Sequence, residues 1–366
     1  MGNMKEDKGK LIVISGGGTG GPSTAPLALA SAYSVLDPKA RFLFIGNDPV
    51  LEKKLFDEAL KMLGAEYISL PAGKWRRYFS VKNFFDFFRI ITAFCRVLIL
   101  FYKKRPDLII SAGSFASVPV AWAGRLTGAK ILIHQQDLRP GLANRLMAPA
   151  ANKLTVTFEK SLKDYGDRAM LIGNPSVAGR LTEETKRKVA TRFGLSGRPL
   201  LFVTGGGSGA TGLNRLFYSA LPFLPSDWDI IHISGRGKGL DAPSRANYQV
   251  TENLAHEDFS ALLSLADIVI TRAGLGVLTE LSIAAKPSIL VPMPNSHQED
   301  NAEYFKSQNA ALVFHEKENN GEDFSRLILD LFKHEGQRMK LSANIAMIMP
   351  PDAAVRGAEI IKEMLD

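Results

Sequence analysis

Two glycine-rich segments offer the clearest chemistry in this sequence. Gly16-Gly17-Gly18-Thr19-Gly20-Gly21 follows the apolar run Leu11-Ile12-Val13-Ile14, and Gly205-Gly206-Gly207-Ser208-Gly209-Ala210 follows Leu200-Leu201-Phe202-Val203-Thr204. Each run is too short for a helix, and each glycine loop opens onto helical composition, Ala25 to Tyr33 in one case and Asn214 to Leu221 in the other. A strand, a glycine turn and a helix N-terminus together aim bare backbone N–H groups at an anion such as a phosphate. Both loops also fit the dinucleotide fingerprint, Gly16-x-Gly18-x-x-Gly21 and Gly205-x-Gly207-x-x-Ala210. One such match is weak, because a tight turn without a ligand uses the same residues. Their repetition within one chain is the informative part.

Several chemistries that use such loops are disfavoured. A nicotinamide enzyme needs an acid about 20 residues on to hold the ribose, and the nearest, Asp48, comes late. Neither loop ends in the Gly-Lys-Ser/Thr that grips β- and γ-phosphates. The segment around Ser208 misses the final glycine of a nucleophile elbow, so Ser208 reads as a phosphate or turn residue. Asp227-Trp228-Asp229 has the spacing of a metal-binding carboxylate pair, but it precedes the strand Ile230-Ile231-His232-Ile233 instead of following it. It is expected as a solvated loop, and no bound metal or cofactor is expected.

The elements that must position the loops alternate regularly. Leu108-Ile109-Ile110, Lys130-Ile131-Leu132-Ile133, Ile268-Val269-Ile270 and Ser288-Ile289-Leu290-Val291 are short apolar runs separated by helical stretches, which implies α/β architecture with parallel, doubly wound sheets in both halves. Two Rossmann-like domains are expected, residues 1–175 and 176–349, with their strand C-termini facing one cleft. A last helix, residues 350–366, would pack back on the first domain. The 366 residues, 46% of them hydrophobic, suffice for two cores. A single cysteine, Cys95, and a start without an apolar run lead us to expect the reducing cytoplasm.

In order and spacing, a further set of segments resembles the peptidoglycan N-acetylglucosaminyltransferases called the MurG family, two-domain, metal-independent glycosyltransferases of GT-B type. The set comprises Gly17 to Gly21, Ser111-Ala112-Gly113-Ser114-Phe115-Ala116-Ser117, His134-Gln135-Gln136-Asp137, Gly173-Asn174-Pro175, the second glycine loop, Arg272-Ala273-Gly274 through Glu280, and Gln298 through Ala302. The resemblance implies transfer of N-acetylglucosamine from UDP-N-acetylglucosamine to a polyprenyl-pyrophosphate-linked muramoyl peptide. It also implies donor contacts at Thr19, Gly20, Gly21, Asp137, Gly207, Ser208, Leu275, Gly276, Glu280 and Gln298. Backbone groups would meet the diphosphate, the Glu280 carboxylate would accept from two ribose hydroxyls, and the Gln298 amide would meet the sugar. Asn301 would orient its loop.

Departures from the family pattern cluster in the first half. Pro22 stands where the family carries a histidine favoured as general base, and proline can neither take a proton nor donate one from its backbone. The family's His-Glu-Gln-Asn becomes His134-Gln135-Gln136-Asp137, an arginine becomes Val177, and the Ser-Gln of the second loop becomes Gly207-Ser208. Asp137 is the leading replacement base, with His134 and His297 next.

Between the first loop and Pro106 the chain is aromatic and basic, from Lys74-Trp75-Arg76-Arg77-Tyr78-Phe79 through Phe84-Phe85-Asp86-Phe87-Phe88 to Lys103-Lys104-Arg105. Asp86, Arg89 and Arg96 interrupt it, which argues for a helix lying in an anionic membrane surface, not crossing it. Some of these aromatics must also cover the sheet. A net charge of +8 agrees with acidic partners, though the aromatics do not alternate as base-stacking platforms do, so nucleic acid is not expected. The expected location is the cytoplasmic face of the cell membrane. Rival readings are a transferase acting on another lipid such as diacylglycerol, a sugar-nucleotide epimerase, and a non-catalytic UDP-sugar binding protein.

Overall fold

The computed structural model describes residues 9–17, 21–70, 81–176, 181–206, 209–239, 241–316 and 320–366. Two compact units divide the chain: Met1–Val177 with Pro351–Asp366, and Ala178–Pro350.

The first unit runs β1 (Leu11–Ser15), α1 (Gly21–Leu36), β2 (Arg41–Gly46), α2 (Pro49–Met62), β3 (Glu66–Ser69), α3 (Val81–Lys104), β4 (Leu108–Ser111), α4 (Ser117–Thr127), β5 (Lys130–Gln135), α5 (Leu142–Met147), β6 (Lys153–Val156) and β7 (Ala169–Leu171). Its seven strands are all parallel in the order β3-β2-β1-β4-β5-β6-β7. The strand order reverses between β1 and β4, and the loops beyond their C-termini are where ligands of such sheets bind. Residues 11 to 15 and 108 to 111 are buried throughout, as strands covered on both faces should be.

The second unit runs α6 (Glu183–Arg192), β8 (Leu200–Thr204), α7 (Thr211–Ala220), β9 (Asp229–Ile233), β10 (Tyr248–Thr251), α8 (His256–Leu265), β11 (Ile268–Thr271), α9 (Leu275–Ala284), β12 (Ser288–Leu290), α10 (His297–Ser307), β13 (Leu312–Val313), α11 (Gly321–Lys333) and α12 (Glu335–Ile348). Its sheet is parallel in the order β10-β9-β8-β11-β12-β13, so the switch point lies between β8 and β11. The final helix, α13 (Ala353–Leu365), packs on α1 in the first unit, where a Cβ on Gly357 would stand 2.0 Å from Leu29 Cδ2. Only glycine lets those two helices approach so closely.

Two expectations change with these boundaries. β5 extends two residues past the apolar run, so His134 and Gln135 are strand residues paired with Thr155 and Val156 of β6. Asp229 does not sit in a solvated loop. It is the first residue of β9, buried, and ion-paired to Arg198 Nη2 at 2.8 Å.

Candidate functional site

In the second unit the loops after β8, β11 and β12 lie along one sheet edge. Gly206 and Gly209 take positive φ, +78° and +68°, which glycine adopts without strain. A Cβ on Gly209 would lie 2.4 Å from the Ser234 carbonyl oxygen, so the loop can press against the end of β9 only as glycine. Beside it, α9 starts at Leu275 after an extended N-cap at Gly274, presenting the N–H groups of its first turn. Space around Gly274 and Gly276 is open, with no atom within 4 Å of a hypothetical Cβ on either.

Glu280 lies one turn beyond Gly276, on the same face of α9. Helical side chains lean toward the N-terminus, which puts the Glu280 side chain on the side of α9 that faces its first turn. Its Oε2 is buried and has no hydrogen-bond partner, and burial pushes its pKa up to about 7. A desolvated carboxylate without donors is costly to keep. Two vicinal hydroxyls of a ribose are the kind of donors that would satisfy it.

Gln298 sits in the first turn of α10 after the N-cap Ser296, whose Oγ accepts from Gln298 N at 3.2 Å. Gln298 Oε1 accepts from Met293 N at 3.0 Å, which commits the carbonyl end of the amide to its own loop and orients the Nε2 end as donor. Asn301 is buried, and its Nδ2 donates to the Ala273 carbonyl, joining α10 to the turn before α9. His297 is the exposed first residue of α10.

In the first unit, the loops after β1, β4 and β5 meet. Gly17 has φ +149°, and a Cβ there would stand 2.7 Å from Asn47 Oδ1 and 3.1 Å from Ser114 Oγ. Gly113 faces Asn144 Oδ1 and Pro22 Cβ at 3.4 and 3.9 Å on the same construction. Pro22 occupies the first turn of α1, where a backbone N–H has no helical acceptor to lose. Gln136 Nε2 donates to Asn174 Oδ1 at 3.4 Å, tying the loop after β5 to the Gly-Asn-Pro segment.

Asp137 is exposed in that loop, and its backbone carbonyl accepts from Gln135 Nε2 at 3.1 Å. His134 does not join it. The ring is fully buried, with Nδ1 3.0 Å from Thr155 Oγ1 and Nε2 3.1 Å from Thr157 Oγ1. Burial lowers its pKa to about 3, against a smaller opposing effect from Asn174. A neutral ring with both nitrogens engaged bridges β5 to β6 and is not placed to take a substrate proton, which corrects the expectation for His134. Thr19, Gly20, Gly207, Ser208 and Val177 lie outside the described residues, while Gly21 is the first residue of α1.

Sequence reasoning missed Arg272 as a structural centre. It is buried directly after β11, its Nη1 donates to the carbonyls of Val291 and Pro292 at 3.0 and 3.1 Å, and its Nη2 lies 2.9 Å from Glu316 Oε2. Nothing in the local sequence marks Glu316 as its partner, because only the sheet order brings the two together.

Residues 12–156 match the glycosyltransferase family 28 N-terminal domain, and residues 200–355 match the glycosyltransferase family 28 C-terminal domain. The UDP-N-acetylglucosamine–N-acetylmuramyl-(pentapeptide) pyrophosphoryl-undecaprenol N-acetylglucosamine transferase of Clostridium kluyveri is 32% identical over 332 residues, 88% of this chain and 90% of the relative. The protein of the same name from Borreliella afzelii is 30% identical over 351 residues, 92% of each chain. Among solved structures, the MurG of Acinetobacter baumannii aligns with a TM-score of 0.77 at 21% identity, covering 97% of this chain and 99% of that one. At that identity the structural likeness speaks for the fold.

Proposed function

This chain belongs to glycosyltransferase family 28, and from that premise we propose that it transfers N-acetylglucosamine from UDP-N-acetylglucosamine to a polyprenyl-pyrophosphate-linked muramoyl pentapeptide. The observation that carries the donor half of this reading is Glu280, whose Oε2 is buried without a hydrogen-bond partner one helical turn beyond the open backbone at Gly276 of α9. The ribose hydroxyls supply the missing donors, and the diphosphate takes the N–H groups at the start of α9 and the second glycine loop. Gln298 donates to the sugar from Nε2.

In the reaction the acceptor hydroxyl oxygen attacks the anomeric carbon, the bond from that carbon to the β-phosphate oxygen breaks, and UDP departs with its charge met by helix N–H groups. The hydroxyl proton passes to Asp137, an exposed carboxylate on the loop after β5 and the only acid within the His134-Gln135-Gln136-Asp137 segment. Pro22 cannot serve. The residues 1–175 take the acceptor, the residues 176–349 take the donor, and residues 350–366 complete the first of these domains.

The acceptor's lipid places the reaction at a membrane, and we assign the peripheral contact, at the cytoplasmic face, to α3 and its neighbours. Ile91, Ile99 and Tyr102 of α3 are exposed, as are Trp122 and Leu126 of α4, the helix against which α3 packs. Arg89, Arg96 and Lys103 border them on α3. Basic residues around exposed apolar ones suit an anionic interface. Lys74 to Phe79 lie outside the described residues, and among the described residues no helix is long and apolar enough to cross a membrane. Mixing purified protein with UDP-N-acetylglucosamine and a short-chain lipid-linked muramoyl pentapeptide in detergent tests the reading. Glycosylated lipid should form, and donor binding without product would point to another acceptor.

A further inference from the structure

We infer that the Arg272–Glu316 ion pair, seated against Gly212 with its arginine buried, is the positioning device that holds the donor end of residues 178–350 in its binding geometry. The inference rests on the donor reading of Glu280 and α9, and neither Arg272 nor Glu316 is assigned contact with substrate.

The Arg272 guanidinium joins several loops at this sheet edge. Arg272 precedes the α9 N-cap, Gly274, by two residues, so its backbone is the base of the turn that aims the first N–H groups of α9. Its Nη1 holds the carbonyls of Val291 and Pro292, at the start of the loop that continues through Met293 to Gln298. Its Nη2 meets Glu316, just beyond β13. One side chain therefore connects three of the loops at this sheet edge. Arginine suits this role because its planar fork serves several acceptors at once, which a lysine ammonium on a flexible stem does not.

The fourth contact is with α7. A Cβ on Gly212, in the first turn of α7, would stand 2.7 Å from Glu316 Oε2 and 3.0 Å from Arg272 Nη2. The helix that follows the second glycine loop is thus packed directly on the ion pair, and only a glycine leaves room for it. Glu316 Oε2 is buried and 2.9 Å from the guanidinium without a well-directed hydrogen bond, so charge holds the pair more than bond geometry does. A displaced carboxylate would then loosen α7, the turn before α9 and the Gln298 loop together.

Gly212→Ala tests this without altering any charge. Alanine improves helix propensity by itself, so a general loss of folding is not expected. The added methyl must instead displace the Glu316 carboxylate. Glu316→Gln is the second variant, keeping shape while removing the charge. UDP titration of the full chain, thermal unfolding, donor and acceptor kinetics, and amide hydrogen exchange are compared with the parent protein.

Both variants should bind UDP about tenfold more weakly and raise the donor KM by a similar factor with kcat and acceptor KM little changed, the pattern of lost ground-state binding. Exchange should accelerate at 272–276 and at 291 and 293 while the unfolding midpoint stays close to that of the parent. UDP affinity and local exchange equal to the parent in both variants would overturn the inference. A parent protein that does not bind UDP would count against the donor reading alone, since accelerated exchange in the variants would still establish the positioning role.

Discussion

Asn301 Nδ2 donates to the Ala273 carbonyl oxygen at 3.1 Å, fastening α10 to the turn from which α9 departs. Both groups are buried, so removing the donor orphans an acceptor in a dry place. Asn301→Ala should cost about 1–3 kcal/mol in urea unfolding and weaken UDP binding at the same time. Asn301→Asp should be worse than alanine, because a carboxylate placed against a carbonyl oxygen repels it.

If Glu280 holds the ribose as proposed, donor binding has a pH dependence with a definite sign. Its folded pKa of about 7 lies above the ordinary 4.5, so as pH falls from 7 toward 4.5 the unliganded fold gains stability from this group while the ionised form needed by the ribose disappears. UDP affinity should therefore drop up to about tenfold per pH unit below 7, and calorimetric titration across pH 5.5 to about 8.5 checks it. Glu280→Gln should bind weakly at every pH and lose the slope.

His134 should matter for stability and not for proton transfer. Its pKa is depressed from 6.5 to about 3, so the stability associated with its neutral ring is complete above pH 6.5 and is lost as pH falls toward 3. His134→Ala should cost about 2–4 kcal/mol through the cavity and two orphaned threonine hydroxyls. The shape of the pH–rate profile should survive the change, whereas loss of its acid-side limb would restore a proton-transfer role.

Asp137→Asn separates chemistry from binding. We expect kcat to fall by about 10² to 10⁴ with UDP affinity nearly unaltered, as for loss of a general base. Unchanged turnover would remove Asp137 from that role.

At the proposed membrane face, Ile99→Glu should reduce binding to anionic vesicles without lowering the unfolding temperature, because the side chain is 58% exposed and leaves the core intact. Equal cosedimentation of both forms with vesicles would move the membrane contact elsewhere.

Much of the architecture was legible because parallel strands advertise themselves as unbroken apolar runs, as in Leu11 to Ile14 and Leu200 to Val203. What escaped was whatever depends on cross-strand company. His134 read as a strand-end residue because polar residues follow Ile133, yet Thr155 and Thr157 supply the hydroxyls that let a histidine continue a buried strand. Asp229 read as solvated, and Arg198 lets it start a strand instead. Arg272 was recognisable as part of a motif, but its reach to Glu316 is created by the order β11-β12-β13, which no local pattern encodes.

UDP release from UDP-N-acetylglucosamine, with and without the lipid-linked muramoyl peptide, measures the proposed transfer itself. Release that depends on the acceptor, with one N-acetylglucosamine gained per lipid, is the predicted result. Tight UDP binding with no acceptor-dependent release, across donor and acceptor concentrations that saturate binding, would contradict it.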